Sequence, residues 1–191
     1  MKIAISGKMG SGKTALAHVL EDQYEFHKFS FADKLKQIVM DLWDIPWENV
    51  FGKNKKESRK LMQDFGKKMR EIDENVWINY ILREVSARDT LTKEYGVKSI
   101  FGDNIVIDDV RYKNEYTALK NAGFIMVRMD ANSDIRKQRL GEGFSETGHL
   151  SETDLDDITD WDLVVQNHTN DLNTLIETAN VLYASFKDEN R

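Results

Sequence analysis

The feature that most restricts this chain is Gly7-Lys8-Met9-Gly10-Ser11-Gly12-Lys13-Thr14, which reads G-x-x-x-x-G-K-T. Alone, the pattern is a glycine turn. Its surroundings make it a phosphate-binding loop. Lys2–Ser6 ahead of it (K-I-A-I-S) is apolar and partly β-branched, as a buried strand is. Leu16, Ala17, Val19 and Leu20 behind it recur at helical spacing. Glycines let a backbone curl so that its N–H groups converge on an anion, and the helix that follows adds its positive N-terminal end. Gly10, Ser11, Gly12, Lys13, Thr14 and Ala15 are therefore the candidate contacts for ATP. Lys13 would reach the β- and γ-phosphates, and the Thr14 hydroxyl would hold Mg²⁺.

A loop of this kind needs further strands beside the first. Residues 26–31 (F-H-K-F-S-F) alternate aromatics and predict a second strand. Asn104–Val110 (N-I-V-I-D-D-V) is an apolar run ending in acids, so Asp108 is expected at a strand end, holding Mg²⁺ directly or through water, with Asp109 beside it. Residues 124–129 and 162–166 supply the fourth and fifth strands. Between them the apolar spacing predicts helices from about Ala32, from within 53–60, over 75–88, after Arg111 and over 134–139, and a closing helix over Leu172–Phe186. Residues 45–50, around Pro46, read as a turn or loop, and 89–102 as a loop. Five strands alternating with helices predict an α/β P-loop NTPase fold, a five-stranded parallel sheet with helices on both faces. The length of 191 residues fits one domain, 1–191, with substrate-binding helices over about 31–90 and a lid over about 133–157.

Composition narrows the function. The net charge of −6 argues against stable nucleic-acid binding, which needs a basic surface. The chain has no cysteine, so disulfides, thiolate metal sites and cysteine nucleophiles are excluded. The four histidines are scattered without metal-ligand spacing, against a zinc site. Without a signal segment or an apolar run near the ~20 residues of a membrane span, the expectation is a cytoplasmic protein that keeps off membranes. A homodimer is compatible with everything in the sequence.

Several stretches carry two readings. Asp33, Lys34 and Lys36 follow the second strand, where a kinase of this fold faces its acceptor, but Ser30-x-x-Asp33 is also a capping box. Ser151-x-x-Asp154 is a second such box. Arg59, Gln63, Gly66 and Arg70 fall on one helical face, either a ligand face or a solvated face with a glycine that lets another helix approach. Trp77 could be core or a base-stacking ring. Arg136 and Arg139, three apart on a short basic helix, are expected to face the same way and to form a lid. Asn167 opens a polar turn after the fifth strand, where adenine is seated in folds of this kind. Arginines at 70, 111, 128, 136 and 139 suit an acceptor that is itself anionic, since guanidinium forks grip phosphate oxygens in pairs.

The ordered set resembles the bacteriophage-type deoxynucleoside monophosphate kinases, small P-loop kinases related to phosphomevalonate kinase. The matching residues are the loop at 7–14, S-F-A-D-K-L-K from Ser30, L-M-Q-D-F-G-K-K-M-R from Leu61, Trp77, D-D-V-R-Y-K-N-E from Asp108, the lid arginines, and H-L-S-E from His149. The resemblance covers most of the chain and implies a nucleoside monophosphate kinase-like sheet, Mg²⁺, and transfer of the ATP γ-phosphate to a deoxynucleoside 5′-monophosphate, in a host cell's cytoplasm if a phage carries it. It implies a monophosphate site drawing on Phe31, Ala32, Lys36, Arg70, Trp77, Asp109, Arg111, Glu115, Arg128, Ser151 and Glu152. It implies catalytic roles for Lys13, Arg111 and Arg139, with Arg139 spanning donor and acceptor, and ATP contacts from Arg136 and Asn167. Thr14 departs from the pattern, since the phage enzymes often carry an acid after the loop lysine. The neighbouring expectations are a kinase of another phosphorylated metabolite, such as phosphomevalonate or dephospho-coenzyme A, and a regulatory ATPase.

Overall fold

The computed structural model describes residues 1–52, 56–95, 104–141, 144 and 150–187. The strands are β1 (Lys2–Ser6), β2 (Phe26–Phe29), β3 (Asn104–Val110), β4 (Ile125–Asp130) and β5 (Leu163–Gln166). All pairings are parallel, in the order β2-β3-β1-β4-β5. The helices are α1 (Lys13–Tyr24), α2 (Phe31–Trp43), α3 (Trp47–Val50), α4 (Lys56–Ile72), α5 (Val76–Tyr95), α6 (Lys113–Asn121), α7 (Ser133–Leu140), α8 (Leu150–Thr153) and α9 (Leu172–Phe186). This is the α/β P-loop fold with helices on both faces of the sheet.

The chain divides into two compact units. One comprises Met1–Phe29 and Val85–Arg191, the other Ser30–Glu84, and α5 runs from the second into the first. The first unit holds the sheet. On one face Ile3, Ile5, Val106, Val127 and Met129 pack with Leu16 and Leu20 of α1 and with Leu175 and Leu182 of α9. Side chains alternate along a strand, so the buried Ala4, Ile105, Ile107 and Met126 turn to the opposite face, where α6 lies against β4. Sequence order reverses at β1, which has β3 on one side and β4 on the other. Ligands of open parallel sheets bind beyond the carboxyl end of such a strand, which is where residues 7–14 follow.

The second unit contains α2, α3, α4 and the first part of α5. Trp43 of α2 meets Phe65 of α4 edge to face, with ring centroids 5.8 Å apart. A Cβ on Gly66 would lie 3.3 Å from Leu35 Cδ2, so the glycine of the Arg59–Arg70 face serves the close approach of α2 and α4. Trp77, Ile78 and Ile81 are buried along α5, while Ile72, the last residue of α4, is 81% exposed.

Several boundaries differ from the sequence reading. Residues 47–50 form one helical turn rather than loop: Pro46 takes the N-cap position, its φ of −58° already suits a helix entry, and the Phe51 N–H donates to Trp47 O at 2.8 Å. Residues 89–95 extend α5, since no glycine or proline intervenes before Gly96; the rest of the predicted loop, 96–102, lies outside the described residues. β2 stops at Phe29 because Ser30 becomes the N-cap of α2. The first capping box does not form. Ser30 makes no side-chain cap bond and Asp33 pairs with Lys36 at 2.8 Å. Asp154 accepts the Lys113 N–H at 2.8 Å, at the start of α6. Of the lid region, residues 133–141, 144 and 150–157 are described; His149 lies outside the described residues.

Candidate nucleotide site

The loop between β1 and α1 places Gly7, Gly10 and Gly12 at φ of +148°, +81° and +100°. At Gly12 this matters twice: the conformation disfavours any side chain, and a Cβ would lie 2.3 Å from Asn167 Nδ2. Lys13, at the first position of α1, folds back over the loop. Its Nζ donates to Gly7 O at 2.6 Å and to Lys8 O at 3.0 Å. Burial, and then the neighbouring Arg111 charge, lower its pKa from 10.5 to about 8, against the opposing pull of Glu152, Asp108 and Asp109. An ammonium so poorly solvated is completed by an anion.

The Thr14 hydroxyl donates to Asp108 Oδ2 at 2.7 Å, across 94 residues of sequence. Asp108 was expected at the end of β3. It sits within the strand, at an irregularity: Ala4 pairs with Ile107 but Ser6 pairs with Val110, so Asp108 and Asp109 together face the single residue Ile5. Such a bulge re-aims side chains beside functional sites. Here it leaves Asp108 buried and Asp109 partly exposed. Among the described residues no group of three or more His, Cys, Asp or Glu could hold a metal by itself. One hydroxyl and one carboxylate oxygen fit Mg²⁺, which takes few protein ligands and completes its shell from phosphate and water.

Glu152 of α8 joins two parts of the site. Its Oε2 accepts the Met9 N–H of the loop at 2.7 Å and its Oε1 accepts Arg111 Nη1 at 2.6 Å. Burial pushes this carboxyl up; the Met9 N–H, Arg111 and Lys13 together outweigh it and hold the carboxyl below its ordinary value. Arg128 of β4 donates to Ser6 Oγ at 3.2 Å and to Asp156 Oδ1 at 2.8 Å, and Asp156 Oδ2 lies 3.0 Å from Lys8 Nζ. Glu115, expected at the acceptor, is buried, and its Oε2 accepts the backbone N–H groups of Arg111 at 2.8 Å and Tyr112 at 3.1 Å. It fixes the turn that carries Arg111.

Behind the loop stand Arg139 and Asn167. Arg139 donates to Gly10 O (2.9 Å), Asn170 Oδ1 (2.9 Å), Asn167 O (3.2 Å), Asn167 Oδ1 (3.3 Å) and Thr169 O. Arg136, expected to face the same way, is buried with its guanidinium 5.6 Å from the Phe144 ring centre. Ala15 and Ser151 are partly buried on α1 and α8.

In the first unit the structure thus brings Lys13, Thr14, Asp108, Arg111, Glu152, Arg139 and Asn167 to the phosphate loop. The remaining expected residues belong to the second unit. There Phe31 and Trp77 are buried, Ala32 is partly buried, and Lys36 Nζ lies 4.8 Å from the Phe51 ring centre. Arg70 Nη1 donates to Gly66 O at 3.3 Å. The sequence reading missed Ser6, Lys8 and Asp156. The acidic run from Glu152 to Asp160 was the available signal, as a complement to cations elsewhere.

A family model described as an AAA domain matches residues 3–154. A protein of Acanthamoeba polyphaga mimivirus, provisionally named a deoxynucleotide monophosphate kinase, is 28% identical over 186 residues, covering 87% of this chain and 88% of its own. The fold is similar to that of a sugar kinase from Janibacter sp. HTCC2649, with a TM-score of 0.52, 17% identity, and 96% and 94% of the two chains covered. It is similar also to TT1252 from Thermus thermophilus, with a TM-score of 0.53, 14% identity and 97% of each chain covered.

Proposed function

Because the chain belongs to the AAA-domain family and carries a complete phosphate loop, we propose that it transfers the γ-phosphate of ATP to a deoxynucleoside 5′-monophosphate, giving dNDP and ADP. The observation that carries this reading is the Glu152 carboxylate, held jointly by the Met9 N–H and by Arg111. It marks a place where the loop and an arginine outside the loop serve the same anion. Hydrolysis alone has one anion to hold; transfer between phosphates must bring two together against their repulsion. The mimivirus relative supports the choice of acceptor.

In the reaction the bond between the γ-phosphorus and the β–γ bridging oxygen breaks, and a bond to an acceptor phosphate oxygen forms. That oxygen is already ionised at neutral pH, since a phosphate monoester's second pKa is ~6, so no general base is needed. Lys13 and Arg111 offset the charge that gathers between the two phosphates. Thr14 and Asp108 would hold Mg²⁺, whose positive charge would offset that of the triphosphate. Asp109, Arg128 and Ser151 remain our candidates for the monophosphate on the first unit, and Phe31, Ala32, Lys36, Arg70 and Trp77 on the second.

The test is ADP release with Mg²⁺ and ATP against a panel of dNMPs, NMPs, dephospho-coenzyme A and phosphomevalonate, with Lys13→Ala as blank. Turnover that requires a dNMP and disappears in the variant is expected. Equal turnover without any acceptor would refute the kinase reading in favour of a regulatory ATPase. Turnover confined to another phosphorylated metabolite would keep the kinase and replace its substrate.

A further inference from the structure

Asn167 was expected at the adenine, yet its side chain is turned to the phosphate loop. Its Nδ2 donates to Ser11 O at 2.9 Å, a buried hydrogen bond spanning 156 residues. The residue is 2% exposed and is itself fixed from two sides. Its own N–H donates to Asp130 O at 2.7 Å, and its O and Oδ1 accept Arg139 Nη2. This arrangement also fixes the orientation of the amide. Turned over, it would set Oδ1 against the Ser11 carbonyl and the amino group against a guanidinium.

The consequence follows from the planarity of the peptide bond. In a trans peptide the C=O of one residue and the N–H of the next point in opposite directions. Drawing the Ser11 carbonyl toward Asn167 therefore aims the Gly12 N–H the other way. Arg139 does the same for the preceding peptide through Gly10 O, and there the Ser11 N–H closes the loop onto Lys8 O at 3.0 Å. Of the two, the Ser11 N–H is taken by the loop itself, and the Gly12 N–H is the one our inference assigns to the anion.

We infer that Asn167, braced by Arg139, is a positioning residue for triphosphate binding: it orients the Ser11–Gly12 peptide of the phosphate loop rather than acting on the base. The inference concerns the donor alone and stands whichever acceptor the protein uses.

A ligand with phosphates and no base separates the two roles. We would titrate the protein with Mg²⁺-tripolyphosphate and, separately, with adenosine, comparing wild type with Asn167→Ala and the isosteric Asn167→Asp, which lacks the donor to Ser11 O. The expected result is tripolyphosphate binding weakened about tenfold in both variants, the scale of one buried hydrogen bond, with a shifted ³¹P resonance of the bound ligand and adenosine affinity within about twofold of wild type. Should both variants fail to fold, Arg139→Gln acts on the adjoining peptide and is read in the same way. Unchanged tripolyphosphate affinity in a folded variant would overturn the inference, with weakened adenosine binding identifying a base contact and unchanged adenosine binding a packing residue.

Discussion

Removing the Thr14–Asp108 hydrogen bond reaches both the stability and the chemistry of the site, and its size can be worked out beforehand. The bond is 2.7 Å long, its acceptor is a carboxylate in a residue 5% exposed, and its donor sits on an exposed residue at the start of α1. A hydrogen bond to a charged group contributes ~1.5–3 kcal/mol. Water can reach the Thr14 side, so the lower end applies, and Thr14→Val should cost about 1.5 kcal/mol. For a chain of this size that corresponds to a fall in Tm of roughly 3–6 °C, or to a shift of somewhat under 1 M in the urea midpoint at an m-value near 2 kcal/mol/M. Asp108→Asn keeps an acceptor for Thr14 but loses its charge, costing about 1 kcal/mol in the wild-type background. In the Thr14→Val background the same change removes a buried charge that has lost its donor, so it should stabilise. The double-mutant cycle is measured by urea denaturation without metal or nucleotide, and is expected to show at least 1 kcal/mol of coupling together with this change of sign. Additivity within about 0.5 kcal/mol would mean that the two side chains do not share the bond, and would refute the assignment of the pair as a metal-holding unit.

Two further predictions rest on the same loop. The pKa of Lys13 is lowered to about 8 in the folded protein, so the unfolded chain binds more protons between there and its ordinary 10.5. The cost of burying the ammonium is therefore fully present below pH 8 and is relieved as pH rises toward 10.5, a gain of roughly 3 kcal/mol that Lys13→Met should abolish in denaturation curves from pH 7 to 10; the same slope in both proteins would contradict it. Gly12→Ala must place a side chain at φ +100° and 2.3 Å from Asn167 Nδ2, itself held by its bond to Ser11 O. The strain and the broken bond together should lower ATP affinity at least about tenfold and Tm by several degrees, measured by calorimetric titration and thermal melting. Wild-type values in both would show that the loop tolerates the residue.

How much of this was legible in the sequence depended on whether the signal was local. The glycine loop, the five apolar runs and the closing helix are short patterns whose physics is complete within a few residues, and each became the element expected. The last two turns of α5 and the one-turn α3 were missed because polar residues at 89–95 and a proline at 46 were read by composition, where helix continuity and the N-cap geometry decided. The site was legible in its cations and less so in their partners. Lys13, Arg111 and Arg139 stand out as charges near a phosphate loop, but that Glu115 would hold two backbone N–H groups, Asp154 would cap α6 and Asp156 would join Lys8 to Arg128 depends on which loops meet in space. Asn167 was singled out from its position after the fifth strand; only the structure shows its amide against Ser11.

The strand order also has a consequence for the birth of the molecule. β1 lies at the centre of the sheet, and Lys2 finds its partner at Ile105. At about 5–20 residues per second, some 5–20 s of translation separate the two. For all that time Ile3 and Ile5, fully buried at the end, have no neighbouring strand to pair with, while the 55 residues of Ser30–Glu84 emerge between. A nascent chain arrested before β3 leaves the ribosome would present an unpaired apolar strand to whatever holdase is nearby, and the nucleotide loop would take its shape only after that wait ends.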